Sequence, residues 1–309
     1  MDEAYASPSL RWKKLVALAL LATAFLLLAN GDCLSLHRPT AFLRSLNRPD
    51  VPSRGKALTP SNYTVVRGVF VQSEPDFNAT DYDVLSDSFG LMDKSPNRWL
   101  NLSRRVASLN EQSDRHTSYK VLFLARHGEG YHNVGPDASL TPLGVRQAEA
   151  VNAAWKVERA DGAPSPERLY SSPLRRSAST LNITWQDILL DKGYVPHIKE
   201  QLRESIGIHT CDERSTRTAL AAIYPDWRFD ASFTEHDQLW NPVFREQPEQ
   251  HALRTLLFLN ELFATESATF ISITSHSGSI NALLRVVGHR DVSVPPGGLV
   301  PVFVSAPDG

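Results

Sequence analysis

From Tyr119 to Ser305 the sequence alternates short apolar runs with longer amphipathic ones, and that alternation leaves few folds open. Val121–Ala125, Glu167–Ser172, His197–Leu202, Thr269–Ser275 and Leu299–Ser305 have the length and composition of strands. Thr141–Glu158, Pro173–Leu189, Glu249–Thr265 and Ser277–Gly288 have helical spacing, with Thr141 placed as N-cap and Pro142 at the first helical position of the first of them. Strands alternating with helices of this length predict an α/β fold, a three-layer α/β/α sandwich around a mostly parallel sheet covered on both faces. Upstream, Tyr63–Gln72 reads as a further strand and Arg98–Gln112 as a helix packed on the domain. Gly207–Gln247 is rich in aromatic, Pro and charged residues and lacks a strand pattern. It is expected to be a helical or irregular insertion over the active site.

The N-terminus has a different character. Leu15–Ala29 is apolar except for Thr23, and Arg11, Lys13 and Lys14 precede it. The reading is a cytosolic tail over 1–14, a signal-anchor or signal peptide over 15–30, a flexible Pro-containing stem over 31–61 and the folded domain over 62–309. The weak cleavage site favours the anchor. The expected location is then a single-pass membrane protein of the secretory pathway with a lumenal domain, and the alternative is secretion after cleavage. Four N-x-[ST] sequons, at Asn62, Asn78, Asn101 and Asn182, agree with that side of the membrane. A net charge of −2 without a basic stripe gives no reason to expect a nucleic-acid partner. Cys33 and Cys211 are no disulfide framework, and a bond between them is disfavoured by the stem around Cys33. No CxxC or HExxH suggests a metal, and no cofactor is expected.

In α/β sheets the functional site forms at the carboxyl ends of the strands. Four strand ends here carry unusual residues: Arg126-His127-Gly128, then Arg175-Arg176 at a helix start, then Glu204, then His276. Histidines, arginines and one carboxylate on one sheet edge suit phosphoryl transfer. Arginine forks match phosphate oxygens, and a neutral histidine can attack phosphorus. A protonated carboxyl can supply the leaving oxygen with its proton. Helix N-termini after Ser172 and His276 are expected to aim N–H groups at the anion.

Five segments in order, "RHGEGYHN", "SLTPLGVRQA", "YSSPLRRSAST", "LRESIGIHTCDER" and "SHSGSI", resemble the histidine phosphatase superfamily, also called phosphoglycerate mutase-like. The likeness is nearest to a fungal and plant branch of mutase-like phosphatases and runs from about Tyr63 to Val304. The resemblance implies a phosphomonoester hydrolase acting on a small phosphorylated substrate. It makes His127 the phosphorylated nucleophile and Glu204 the proton donor. Arg126, Arg176 and His276 complete the phosphate pocket, Asn133 adds a hydrogen bond, and His209 and Arg214 lie on the substrate side. Arg175 is read as a flank. Two departures stand out. The stretch between Asn133 and Asp137 is short where the branch has a longer, Trp-containing loop, and Ser205-Ile206-Gly207 replaces the mutase-type text after Glu204. The alternatives are a phosphoglycerate mutase-type phosphotransferase and a non-catalytic lumenal phosphate-binding protein.

Overall fold

The strands of the central sheet are apolar on both faces because helices cover both. The structure, a computed structural model, describes residues 62–78, 83, 85–113, 117–131 and 135–307. All of them belong to one unit, Ala57–Gly309. The elements are β1 (Thr64–Val65), α1 (Arg98–Gln112), β2 (Thr117–Arg126), α2 (Pro142–Ala160), β3 (Arg168–Ser171), α3 (Arg175–Trp185), β4 (His197–Ile198), α4 (Arg217–Ile223), β5 (Arg228–Phe229), α5 (Pro248–Thr265), β6 (Phe270–Ser275), α6 (Ser277–Val286) and β7 (Leu299–Pro307).

They form a seven-stranded sheet in the order β1-β7-β2-β6-β3-β4-β5. β2, β6, β3, β4 and β5 pair in parallel, while β7 runs antiparallel to β2 and β1. The alternation of side chains along β2 divides the core. Val121 and Phe123 join one apolar cluster with Trp99 and Val106 of α1, Trp155 of α2 and Leu181 of α3. Leu122 and Leu124 join the other with Phe258 and Leu259 of α5 and Ile280 and Leu283 of α6. Trp155 is the hub of the first, with its ring centroid 4.8 Å from those of Phe89, Phe123 and Trp185.

The three-layer expectation holds, and so do the helix start that Thr141-Pro142 chemistry dictates and the helix read from spacing upstream. The Thr141 side chain accepts from Gly144 N at the start of α2, and α1 spans Arg98–Gln112 as read. Three elements differ. Tyr63–Gln72 pairs as a strand only at Thr64–Val65, because Gly68 turns the chain with φ +72° and Phe70 bridges Leu91 instead. His197–Leu202 is a two-residue strand, after which the chain tightens into a 3-10 turn at Glu200–Leu202. The insertion after Gly207 holds a strand after all, the two-residue β5, which adds to the sheet edge beside β4.

The apolar run Leu15–Ala29, the stem and Cys33 lie outside the described residues. Among those described, no helix is long and apolar enough to cross a membrane.

Candidate active site

β2 and β6 run in register to their last residues, Arg126 beside Ser275. The next residue of each chain segment is a histidine, so His127 and His276 emerge together, their ring centroids 4.9 Å apart. Both are buried. His127 Nδ1 lies 2.6 Å from Gly128 O. A carbonyl only accepts, so Nδ1 carries the proton and Nε2 presents its lone pair. Arg176, at the second position of α3, donates from Nε toward that Nε2 at 3.3 Å. On the other ring, His276 Nε2 is 2.8 Å from Ser172 Oγ. His276 Nδ1 is buried and has no hydrogen-bond partner among the described residues. Burial, then the charge of Arg176, then His127 pull the His276 pKa well below its ordinary value, so the ring is neutral.

Arg176 is held from the insertion. Its guanidinium donates to Asp212 Oδ1 at 2.8 Å and to Cys211 O at 2.6 Å. The other oxygen of Asp212 takes Arg245 at 3.0 Å, so one buried carboxylate joins two arginines. Arg126 donates from Nη1 to Val294 O at 2.9 Å, while its buried Nε has no partner among the described residues. Burial lowers the Arg126 pKa and the Glu204 carboxylate raises it again, which puts those two charges in each other's field. Glu204 is gripped at both oxygens, by Ser205 N at 2.8 Å and by Gly278 N at 3.1 Å. Position 278 must be glycine for this grip, since a Cβ there would stand 1.9 Å from Glu204 Oε1.

A buried arginine thus faces a histidine lone pair, half-buried Arg126 follows the same strand as His127, and two buried nitrogens, Arg126 Nε and His276 Nδ1, have no partner among the described residues. Among the described residues no cluster of three or more His, Cys, Asp or Glu is arranged to hold a metal ion.

Residues 122–296 match the family model of the histidine phosphatase superfamily, branch 1. The chain belongs to that superfamily. It is similar to a "Probable phosphoglycerate mutase" of Arthroderma benhamiae, 31% identical across 94% of this chain and 91% of the relative. It is also similar to "Phosphomutase-like protein 3" of Candida albicans, 33% identical across 79% and 80% of the two chains. Among solved structures, mycobacterial glucosyl-3-phosphoglycerate phosphatase aligns over 59% of this chain and 89% of its own, at 22% identity and a TM-score of 0.40.

As a histidine phosphatase superfamily member the chain brings His127, Arg126, Arg176, Glu204 and His276 to one edge of the sheet. Three expectations change. Glu204 is not at a strand end: β4 stops at Ile198, and the 3-10 turn carries the chain on to the carboxylate. Arg214 is not on the substrate side. It is buried and spent on the insertion, with Nε on Glu200 at 2.6 Å, Nη2 on Thr234 O at 2.8 Å and its guanidinium 4.0 Å over the Phe233 ring. The first N–H groups of α6 are not all open to an anion, since Gly278 N is taken by Glu204. His209 is exposed on the insertion, where its carbonyl accepts from Trp240 Nε1 at 3.0 Å. Arg175, read as a flank, opens α3 with its backbone N bound to Asp137 Oδ1 at 2.7 Å. Asn133 and His132 lie outside the described residues.

Sequence reasoning missed Asp212 and Arg245. Asp212 stands inside the segment "GIHTCDER", and its place in that segment was the available signal. Arg245 had none, because it reaches Asp212 across 33 positions of irregular chain.

Proposed function

We propose that this chain is a phosphomonoester hydrolase that works through a phosphohistidine on His127. The observation that carries the reading is the lone pair of His127 Nε2 facing Arg176 beside the orphaned His276 Nδ1. In the first step Nε2 attacks phosphorus and the ester P–O bond breaks. Glu204 gives its proton to the departing oxygen. In the second step Glu204 takes a proton from water, the water oxygen attacks phosphorus, and the N–P bond breaks to release phosphate. Arg126 and Arg176 balance charge on the transferring oxygens. The Ser172 hydroxyl, donating to His276 Nε2, sets the tautomer whose Nδ1–H serves the same anion.

Glu204→Gln tests the assignment of the proton donor. Turnover of alkyl phosphates should fall about 100-fold, and of activated aryl phosphates less than about tenfold, because their leaving oxygen needs no proton. An equal loss on both classes contradicts the role given to Glu204.

The printed names of the fungal relatives favour a second reading, a phosphoglycerate mutase-type phosphotransferase. A mutase returns the phosphoryl group to its substrate. Incubating the protein with a phosphoglycerate separates the two, since a hydrolase accumulates inorganic phosphate and a mutase accumulates the isomer. A protein that turns over neither class of ester is a phosphate binder.

A further inference from the structure

Two short segments of the insertion lie against each other beside the phosphate pocket. Ile208 N donates to Asn241 O at 2.8 Å and Glu246 N to Ile206 O at 2.8 Å. The approach is so close that a Cβ on Gly207 would meet Phe244 O at 1.8 Å. Both segments are anchored in the pocket. The first continues from Glu204 and Ser205, whose N–H grips the carboxylate. The second carries Arg245, which binds Asp212 at 3.0 Å, and Asp212 holds Arg176 at 2.8 Å.

These segments expose apolar side chains where a soluble surface has no need of them. Ile208 is 47% exposed, Val243 71% and Phe244 74%. Asn241 Oδ1 accepts from Val243 N at 2.8 Å and Phe244 N at 3.0 Å, which fixes the turn that presents the last two. Ile208 is also strained. Its φ is +62°, in the left-handed region, a genuine outlier for a β-branched residue. Glycine would sit there without strain. Core packing does not account for isoleucine at this position, because so much of the side chain is exposed.

We propose that the Ile208 and Phe244 rim holds the alcohol portion of the ester, and that this portion is apolar. The inference rests on the phosphatase reading and adds its substrate class. The phosphoryl group sits among Arg126, Arg176 and the two histidines, and an alkyl or aryl leaving group extends outward across the rim.

The experiment compares kcat/KM of the full chain for straight-chain alkyl phosphates against glycerol phosphate, whose leaving oxygen has similar basicity. Each methylene that the rim covers should raise kcat/KM by about fourfold. Phe244→Ala should lower the value for hexyl phosphate by about tenfold and leave glycerol phosphate within about twofold. Ile208→Gly should show the same selectivity and raise Tm, which separates lost contact from lost folding. Preference for glycerol phosphate, or equal losses on both esters in the variants, overturns the apolar class and leaves the phosphatase reading standing. No turnover of any ester overturns both.

Discussion

At the scale of single residues, the placement of Arg176 depends on one buried carboxylate. Asp212 is buried between Arg176 and Arg245, and it sets the direction in which Arg176 Nε points. Removing one partner of a buried ion pair leaves uncompensated charge, at a cost of about 3 kcal/mol. Asp212→Asn should therefore lower the Tm of the ligand-free protein. An anion on the freed guanidinium replaces the lost partner, so inorganic phosphate should raise the Tm of the variant more than that of the parent. Thermal unfolding with and without phosphate checks this, and an equal rise in both proteins would mean that Arg176 does not face the anion. Asp137 is a second acid that the sequence did not flag. The stretch from Asn133, short where the resembling branch has a longer loop, ends in this buried side chain, which takes the backbone N–H of Arg175 at 2.7 Å and of Ser215 at 3.0 Å.

At the scale of elements, α5 is the clamp for the segment that carries Glu204. Arg254 donates to the carbonyls of Gln201 at 2.7 Å, Arg203 at 3.0 Å and Glu204 at 3.2 Å. His251 lies one turn before, buried between Ser205 Oγ at 3.2 Å and Ser279 Oγ at 3.1 Å. Burial, followed by the charge of Arg254, lowers its pKa from 6.5 to about 3, with Glu246 opposing. Between those values the unfolded chain binds a proton that the folded chain refuses. Stability is therefore present above the ordinary histidine range and is lost as pH falls from 6.5 toward 3. His276 adds a loss of the same sign. His251→Gln should remove about one proton from the slope, roughly 1.4 kcal/mol per pH unit, in denaturant titrations across that window. An unchanged slope would mean that His251 is charged in the fold.

Helices and buried strands of this layer were legible because their signals are local. Thr141-Pro142 starts α2, and Thr269–Ser275 carries its own apolar run. The 3-10 turn before Glu204, the two-residue β5 and the arginine clamps were not legible. Each is decided by partners brought together by the sheet, such as Phe229 opposite Ile198, and not by neighbours in sequence.

At the scale of the whole molecule, the location of the chain remains our proposal from Leu15–Ala29 and the sequons. The fold makes that proposal selective. Asn62, Asn78 and Asn101 are exposed. Asn182 sits within α3, half-buried, with the Thr184 of its sequon buried. If the domain is lumenal, endoglycosidase should shift the mobility of the protein, and Gln substitution should abolish part of the shift at one or more of the first three and none at Asn182. No shift at all would argue for the cytosol and strengthen the mutase reading. The proposed chemistry rests on the Nε2 of one histidine, His127. Rapid quench of the protein with a 32P-labelled phosphomonoester into alkaline detergent should trap label that is alkali-stable, acid-labile and absent from His127→Ala. Label that persists in that variant, or steady turnover by it, would contradict the account.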